Sequence, residues 1–137
     1  MTKPPPLTFV LMDAPFESDR TTTAFRLLDA ALEQGHDINV FAYEGAVALS
    51  FARQARHANA VHGRNEGDEA HPLAREWIAA LLQKAETKGL KVDWVNCGLC
   101  VDERGVAETI GGVRRGGPPD FWAMAERAAN TLVIATR

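Results

Sequence analysis

"LTFVLMDAPFESDRTTTAFRLLDAALEQGHDINVFAY", residues 7–43, is the stretch whose reading decides the fold. It opens on a short apolar run, Leu7 to Met12, preceded by prolines, and such a run predicts a strand buried on both faces. DAPFESD follows as a loop, with Ser18 or Asp19 available to cap a helix. In TTTAFRLLDAALEQG (21–35) the residues Ala24, Leu27, Leu28, Ala31 and Leu32 fall at helical spacing, and Gly35 ends the pattern as a C-cap. DINVFAY (37–43) then reads as a second strand through Ile38, Val40 and Phe41. A strand, a helix and a strand in under 40 residues make a βαβ unit, so the two strands are expected to be parallel.

The rest of the chain repeats this grammar. EGAVALSFARQA (44–55) reads as a short helix or helical turn. HANAVHGRNEGDEAH (57–71) is polar and non-periodic, the best candidate for a long mobile loop. PLAREWIAALLQKAETKG (72–89) is a long helix with Pro72 in its first turn, an apolar face of Trp77, Ile78, Leu81 and Leu82, and Gly89 at its close. LKVDWV (90–95) is a third strand, and a helical segment runs from about Gly98 to Arg104. GGVRRGGPP (111–119) reads as a second flexible loop, DFWAMAERAAN (120–130) as a last helix capped by Asp120, and TLVIAT (131–136) as a final strand. This order predicts a three-layer α/β/α sandwich around a mostly parallel sheet, with residues 1–137 forming a single domain.

Composition narrows the function classes. Hydrophobic residues make up 46% and charged residues 24% of the 137, enough for one ordinary core. A net charge of −3 argues against nucleic acid as a partner, because phosphate binding needs a clustered basic face. MTKPPPLTFV lacks the apolar centre of a signal peptide, and no stretch is long and apolar enough to span a bilayer. A cytoplasmic protein without membrane contact is therefore expected. There, two cysteines three residues apart point to redox, sulfur-handling or metal chemistry rather than to a structural disulfide.

Those cysteines sit in VDWVNCGLCVDERGV (92–106). Sites in open α/β sheets gather beyond the carboxyl ends of the strands. DAPFESD, the turn Tyr43–Gly45, the cysteine segment and Arg137 all leave such ends. Cys97 follows the third strand, and Cys100 lies one helical turn on, so the sulfurs share a face. The first turn of a helix offers free N–H groups and partial positive charge, both of which favour a thiolate. Arg104 adds positive charge nearby, while Asp102 and Glu103 oppose it. The functional reading makes Cys97 a nucleophile and Cys100 a helper or resolving thiol; the plainer one makes both buried, inert residues.

The stretch VNCGLCVDERGV resembles the cysteine motif of the DsrE/TusD-like sulfurtransferase family. The opening LTFVLMDAPFESDRTTTAFRLLDAALEQGHDINVFAYEGAV and the close FWAMAERAANTLVIATR resemble that family's ends, so the similarity covers most of the chain outside 57–71. The resemblance implies an α/β homo-oligomer that carries sulfur as a cysteine persulfide. Its partners would be sulfur-donor and sulfur-acceptor proteins or small persulfides, and no cofactor is implied. The family's carrier cysteine matches Cys97, judged by its distance from Arg104-Gly105. Cys100 sets the chain with the C-x-x-C branch, many of whose members have no settled activity. Glu44, Gly98, Arg104 and Gly105 are the expected binding residues, the glycines by letting a partner approach the backbone.

Rival readings stand beside this one. A thioredoxin-like fold would place its C-x-x-C after an early strand, not after the third. His36, His57, His62 and His71 with the cysteines make a thin case for zinc, since the histidine spacings fit no usual pattern. GGVRRGG is neither a dinucleotide fingerprint nor a P-loop, though Arg114 or Arg115 could hold a charged donor near Cys97. Trp77, Trp94 and Trp122 read as core or subunit-interface residues, and Asp13 and Glu17 as solvated loop carboxylates.

Overall fold

A computed structural model of the chain describes residues 2–58, 63–68 and 72–136. Five strands form one sheet in the order β4-β3-β2-β1-β5, and every pairing is parallel. They are β1 (Leu7–Leu11), β2 (Ile38–Ala42), β3 (Val92–Cys97), β4 (Val113–Gly116) and β5 (Asn130–Ile134). The helices are α1 (Asp19–Glu33), α2 (Ala74–Thr87), α3 (Gly98–Arg104) and α4 (Pro118–Arg127). A 3₁₀ turn, Glu44–Ser50, leaves β2, and a shorter one covers Glu66–Asp68 inside the expected long loop.

Strand alternation sends each strand's residues into one of two apolar clusters. Phe9, Leu11, Ile38, Val40 and Trp94 face α1 and α2, where Leu28, Leu32, Ile78 and Leu81 complete the first cluster. Val10, Phe41, Val95 and Cys97 face the other way and meet Cys100, Val101 and Met124 of α3 and α4. The result is the expected three-layer α/β/α sandwich, and both faces are buried because the strands are apolar runs rather than alternating ones. No described helix is long and apolar enough to cross a membrane.

Three local expectations differ from the structure. GGVRRGGPP is not a loop: Val113–Gly116 pairs with β3 as the edge strand β4, a parallel neighbour that single-sequence pattern cannot see. Asp120 is not the cap of α4. Gly117 holds that place, Pro118 opens the helix, and the Asp120 carboxylate accepts the Gly117 N–H at 2.9 Å. Pro72 lies just before α2, whose cap is Leu73; there Glu76 accepts the Leu73 N–H at 3.1 Å. Of the three tryptophans, Trp94 is fully buried, Trp77 half-buried and Trp122 64% exposed. At α1 the Ser18 alternative is the one taken, its hydroxyl accepting the Arg20 N–H.

Buried polar groups tie these layers together. Asn96 accepts from the Trp94 indole at 3.3 Å and donates to the Ser50 hydroxyl at 2.9 Å, joining β3 to the 3₁₀ turn. Replacing Asn96 by Ala orphans both partners and is expected to lower unfolding free energy by about 1–3 kcal/mol. Urea unfolding checks this, with the midpoint falling at unchanged slope.

Candidate functional site

Cys97 closes β3, and its backbone caps α3, so strand and helix together place it at the carboxyl edge of the sheet. Alternation points Trp94 and Asn96 to one face and Cys97 to the other, so Trp94 is no neighbour of the sulfur. Cys97 and Cys100 are both free thiols, about nine-tenths buried, in the same apolar cluster. Phe41, Tyr43 and Phe121 form the aromatic wall of the same cluster, with Phe41 stacked on Tyr43 at 5.8 Å. Burial pushes the Tyr43 phenol above its ordinary value.

Cys100 is the better anchored thiol. The backbone N–H of Glu44 donates to its sulfur at 3.1 Å. Glu44 can aim that N–H because its backbone is left-handed, with φ 49°. The Glu44 carboxylate pairs with Arg104 at 2.9 Å, and Arg104 also reaches the Cys100 carbonyl at 3.4 Å. Arg104 thus holds Cys100 through its backbone and through Glu44. Burial pushes the Cys100 thiol up, the Glu44 N–H pulls it down, and the neighbouring Cys97 pushes it up again; the balance is upward.

Arg115 comes to Cys97 from β4, where Gly116 is the register partner of Cys97. Its guanidinium grips Asp102 with bonds of 2.8 and 2.6 Å. That grip holds the Asp102 carboxyl below its usual range, and it raises Arg115 together with a smaller contribution from Cys97. A Cβ on Gly98 would lie 2.5 Å from Arg115 Nε. Gly98 therefore makes room for this arginine. Gly105, with φ 65°, ends α3 as its left-handed cap. Arg114 points away, to Asp93 and Asp120.

A cleft of about 760 Å³ opens where the chain leaves β1 and β5, and it reaches Glu44 and Arg104 but neither cysteine. Sheet order reverses there, since β2 and β5 flank β1. Asp13, Glu17, Arg20, Glu44 and Arg104 line it. Asp13 is only 8% exposed and accepts a hydrogen bond from Ser18, so it is no solvated loop carboxylate. Sequence position hinted at this, because Asp13 directly follows a strand mouth; what was missing was the loop from β2, which packs over it. A Cβ on Gly45 would meet Ala14 Cβ at 2.8 Å, so the two loops touch through backbone.

Glu44, Arg104 and both cysteines are thus brought together. Among the described residues no group of three or more His, Cys, Asp or Glu is placed to hold a metal ion. His57 packs edge-on to Phe16 and His36 lies 2.8 Å from the Pro5 carbonyl; His62, His71 and Arg137 lie outside the described residues.

An all-parallel α/β sandwich with a thiol pair at a strand's carboxyl end defines a class in which cysteine chemistry and fold go together. The model of the DsrE/DsrF-like family matches residues 6–134, and the chain belongs to that family, which is generally associated with sulfur relay. Among solved structures, the ychN protein from E. coli is similar in fold: TM-score 0.67 and 22% identity, over 94% of this chain and 98% of that one. No curated protein matches the sequence significantly.

Because Cys100 titrates above the ordinary 9.0, its alkylation by iodoacetamide is expected to stay slow at neutral pH and to rise with a midpoint above that value. Peptide-resolved mass spectrometry across pH checks this; a midpoint below 9.0 contradicts the balance described for Cys100.

Proposed function

We propose that the protein carries sulfane sulfur as a persulfide on Cys97, with Cys100 assisting. The observation that carries this reading is the pair of free thiols packed in one cluster at the carboxyl end of β3, with the second sulfur held by the Glu44 N–H. Membership of a sulfur-relay family supports it.

The Cys97 thiolate attacks the outer sulfur of a donor R–S–SH. The donor's S–S bond breaks, the donor leaves as a thiolate, and Cys97 becomes Cys97–S–SH. An acceptor thiolate takes the outer sulfur by the same exchange, and neither step changes the oxidation balance. Cys100 stays protonated at neutral pH and serves as a hydrogen-bond donor to the loaded sulfur. Once deprotonated, it attacks the Cys97 sulfur and expels hydrosulfide; the two cysteines are then oxidised to a disulfide as the sulfane sulfur is reduced. The Arg115 guanidinium adds positive charge beside the persulfide anion, and Glu44 and Arg104 keep Cys100 in place. Donors and acceptors are proteins or small persulfides.

The same reading makes the chain a cytoplasmic homo-oligomer. Leu132 and Val133 on the edge strand β5, with Trp122 on α4, are large apolar groups left exposed, which favours a second copy over solvent.

Intact mass after incubation with a sulfane-sulfur donor tests the proposal. Wild type is expected to gain one sulfur that a reductant removes; Cys97→Ser gains none and Cys100→Ser keeps its gain. A loss of two hydrogens requiring both cysteines, with no sulfur gained, replaces the carrier reading with dithiol redox chemistry. No change in a folded protein with free thiols leaves a binding module.

A further inference from the structure

The cleft where β1 and β5 end has chemistry that the cysteine pair does not use. It is large enough for a small metabolite, at about 760 Å³. Asp13 forms its most buried polar group. One carboxylate oxygen, Oδ2, accepts from Ser18; the other, Oδ1, has no hydrogen-bond partner among the described residues. The free oxygen is open to the cleft rather than sealed in the core, since Thr21 Oγ1 is the one buried unpartnered side-chain oxygen among the described residues, and an open carboxylate oxygen can receive a cationic donor. Arg20 lines the same cleft, and its guanidinium pairs with no carboxylate among the described residues. Glu17 widens the acidic side, and Glu44 and Arg104 neutralise each other at the far wall.

Both signs are therefore on offer: an ammonium meets Asp13 and Glu17, and a carboxylate meets Arg20. A doubly charged anion such as a phosphate or sulfonate faces the surplus of carboxylates, and a simple amine leaves Arg20 unused. The far wall supplies the last constraint. Glu44 and Arg104 are the two residues that fasten Cys100, so whatever fills the cleft touches the groups that hold that sulfur.

We propose that this cleft binds the α-amino-carboxylate head of a low-molecular-weight thiol, the ammonium at Asp13 and the carboxylate at Arg20, with the sulfur-bearing side chain toward Glu44 and Arg104. That the ligand is a thiol rests on the persulfide reading of Cys97; the zwitterion-binding site rests on the cleft alone. The site gives the protein a small-molecule exchange partner.

S-Methyl-L-cysteine is the probe, because a thioether cannot exchange sulfur and reports binding only. Amide NMR titration of the full chain is expected to show saturable shifts around Asp13, Arg20 and Glu44, with a dissociation constant on the order of 1 mM or below. Two half-ligands, 2-(methylthio)ethylamine and 3-(methylthio)propionate, bind at least about tenfold more weakly, and so does the probe to Arg20→Gln, since each loses one charge-assisted contact. Absent saturation, half-ligands as tight as the whole, or unaltered binding to a folded Arg20→Gln each overturn the site. L-Alanine binding as tightly as the probe overturns its thiol specificity. If the probe binds while no persulfide forms on Cys97, the carrier reading fails and the zwitterion site stands.

Discussion

The hydrogen bond from the Glu44 backbone to the Cys100 sulfur is the contact on which the site's geometry depends. It requires a left-handed φ at a residue that is not glycine, a conformation costing about 1–3 kcal/mol unless its surroundings impose it. Three neighbours impose it here. Gly45 seats against Ala14, the Ala46 N–H bonds the Met12 carbonyl at 3.0 Å, and Arg104 holds the Glu44 carboxylate. The turn after β2 is thus locked to the loop after β1 on one side and to α3 on the other. Without the glycine at 45 the loops could not close to this distance, and the N–H would point elsewhere.

The two faces of the sheet are held by different means. Toward α1 and α2 the packing is almost wholly apolar, with Leu28, Leu32, Ile78 and Trp94 nearly inaccessible. Toward α4 only Met124 is buried from the helix. Polar contacts make up the difference: Thr8 donates to the Met124 carbonyl, Asn39 donates to Thr8, and Arg127 bridges Asn39 and Asp93. The thiol pair lies on this second, more polar side, among Phe41, Tyr43 and Phe121. That environment explains why a cysteine so well covered as Cys100 still has a backbone donor at its sulfur: a buried thiol left without one would lose a partner it can have at no cost in packing.

Much of the fold was legible in the chain. β1, α1 and β2 declare themselves through apolar runs and a 3.6-residue period, with boundaries within two residues of those observed. The helical reading of Gly98–Arg104 agrees with the structure. β4 was not legible, because two of its four residues are arginines and it is flanked by glycines; its strand character comes from pairing with β3. The same pairing delivers Arg115 to Gly98, so missing the strand meant missing the reason for that glycine. Nothing within its own loop announces the burial of Asp13; the turn after β2 packs against Met12 and Ala14 on either side of it.

The sequence by itself determined the parallel α/β class, the placement of Cys97 at a strand's carboxyl end, and the three-residue spacing that puts two sulfurs on one helical face. These are consequences of local periodicity, which a chain carries wherever it goes. The tertiary structure alone decided which groups surround those sulfurs. Glu44 reaches Cys100 across 56 positions and Arg104 across 60, and Asp13 is buried by a loop from the neighbouring strand. Such contacts follow from the order in which strands lie side by side, a choice made by the packing of whole layers against one another and written in no single stretch of residues.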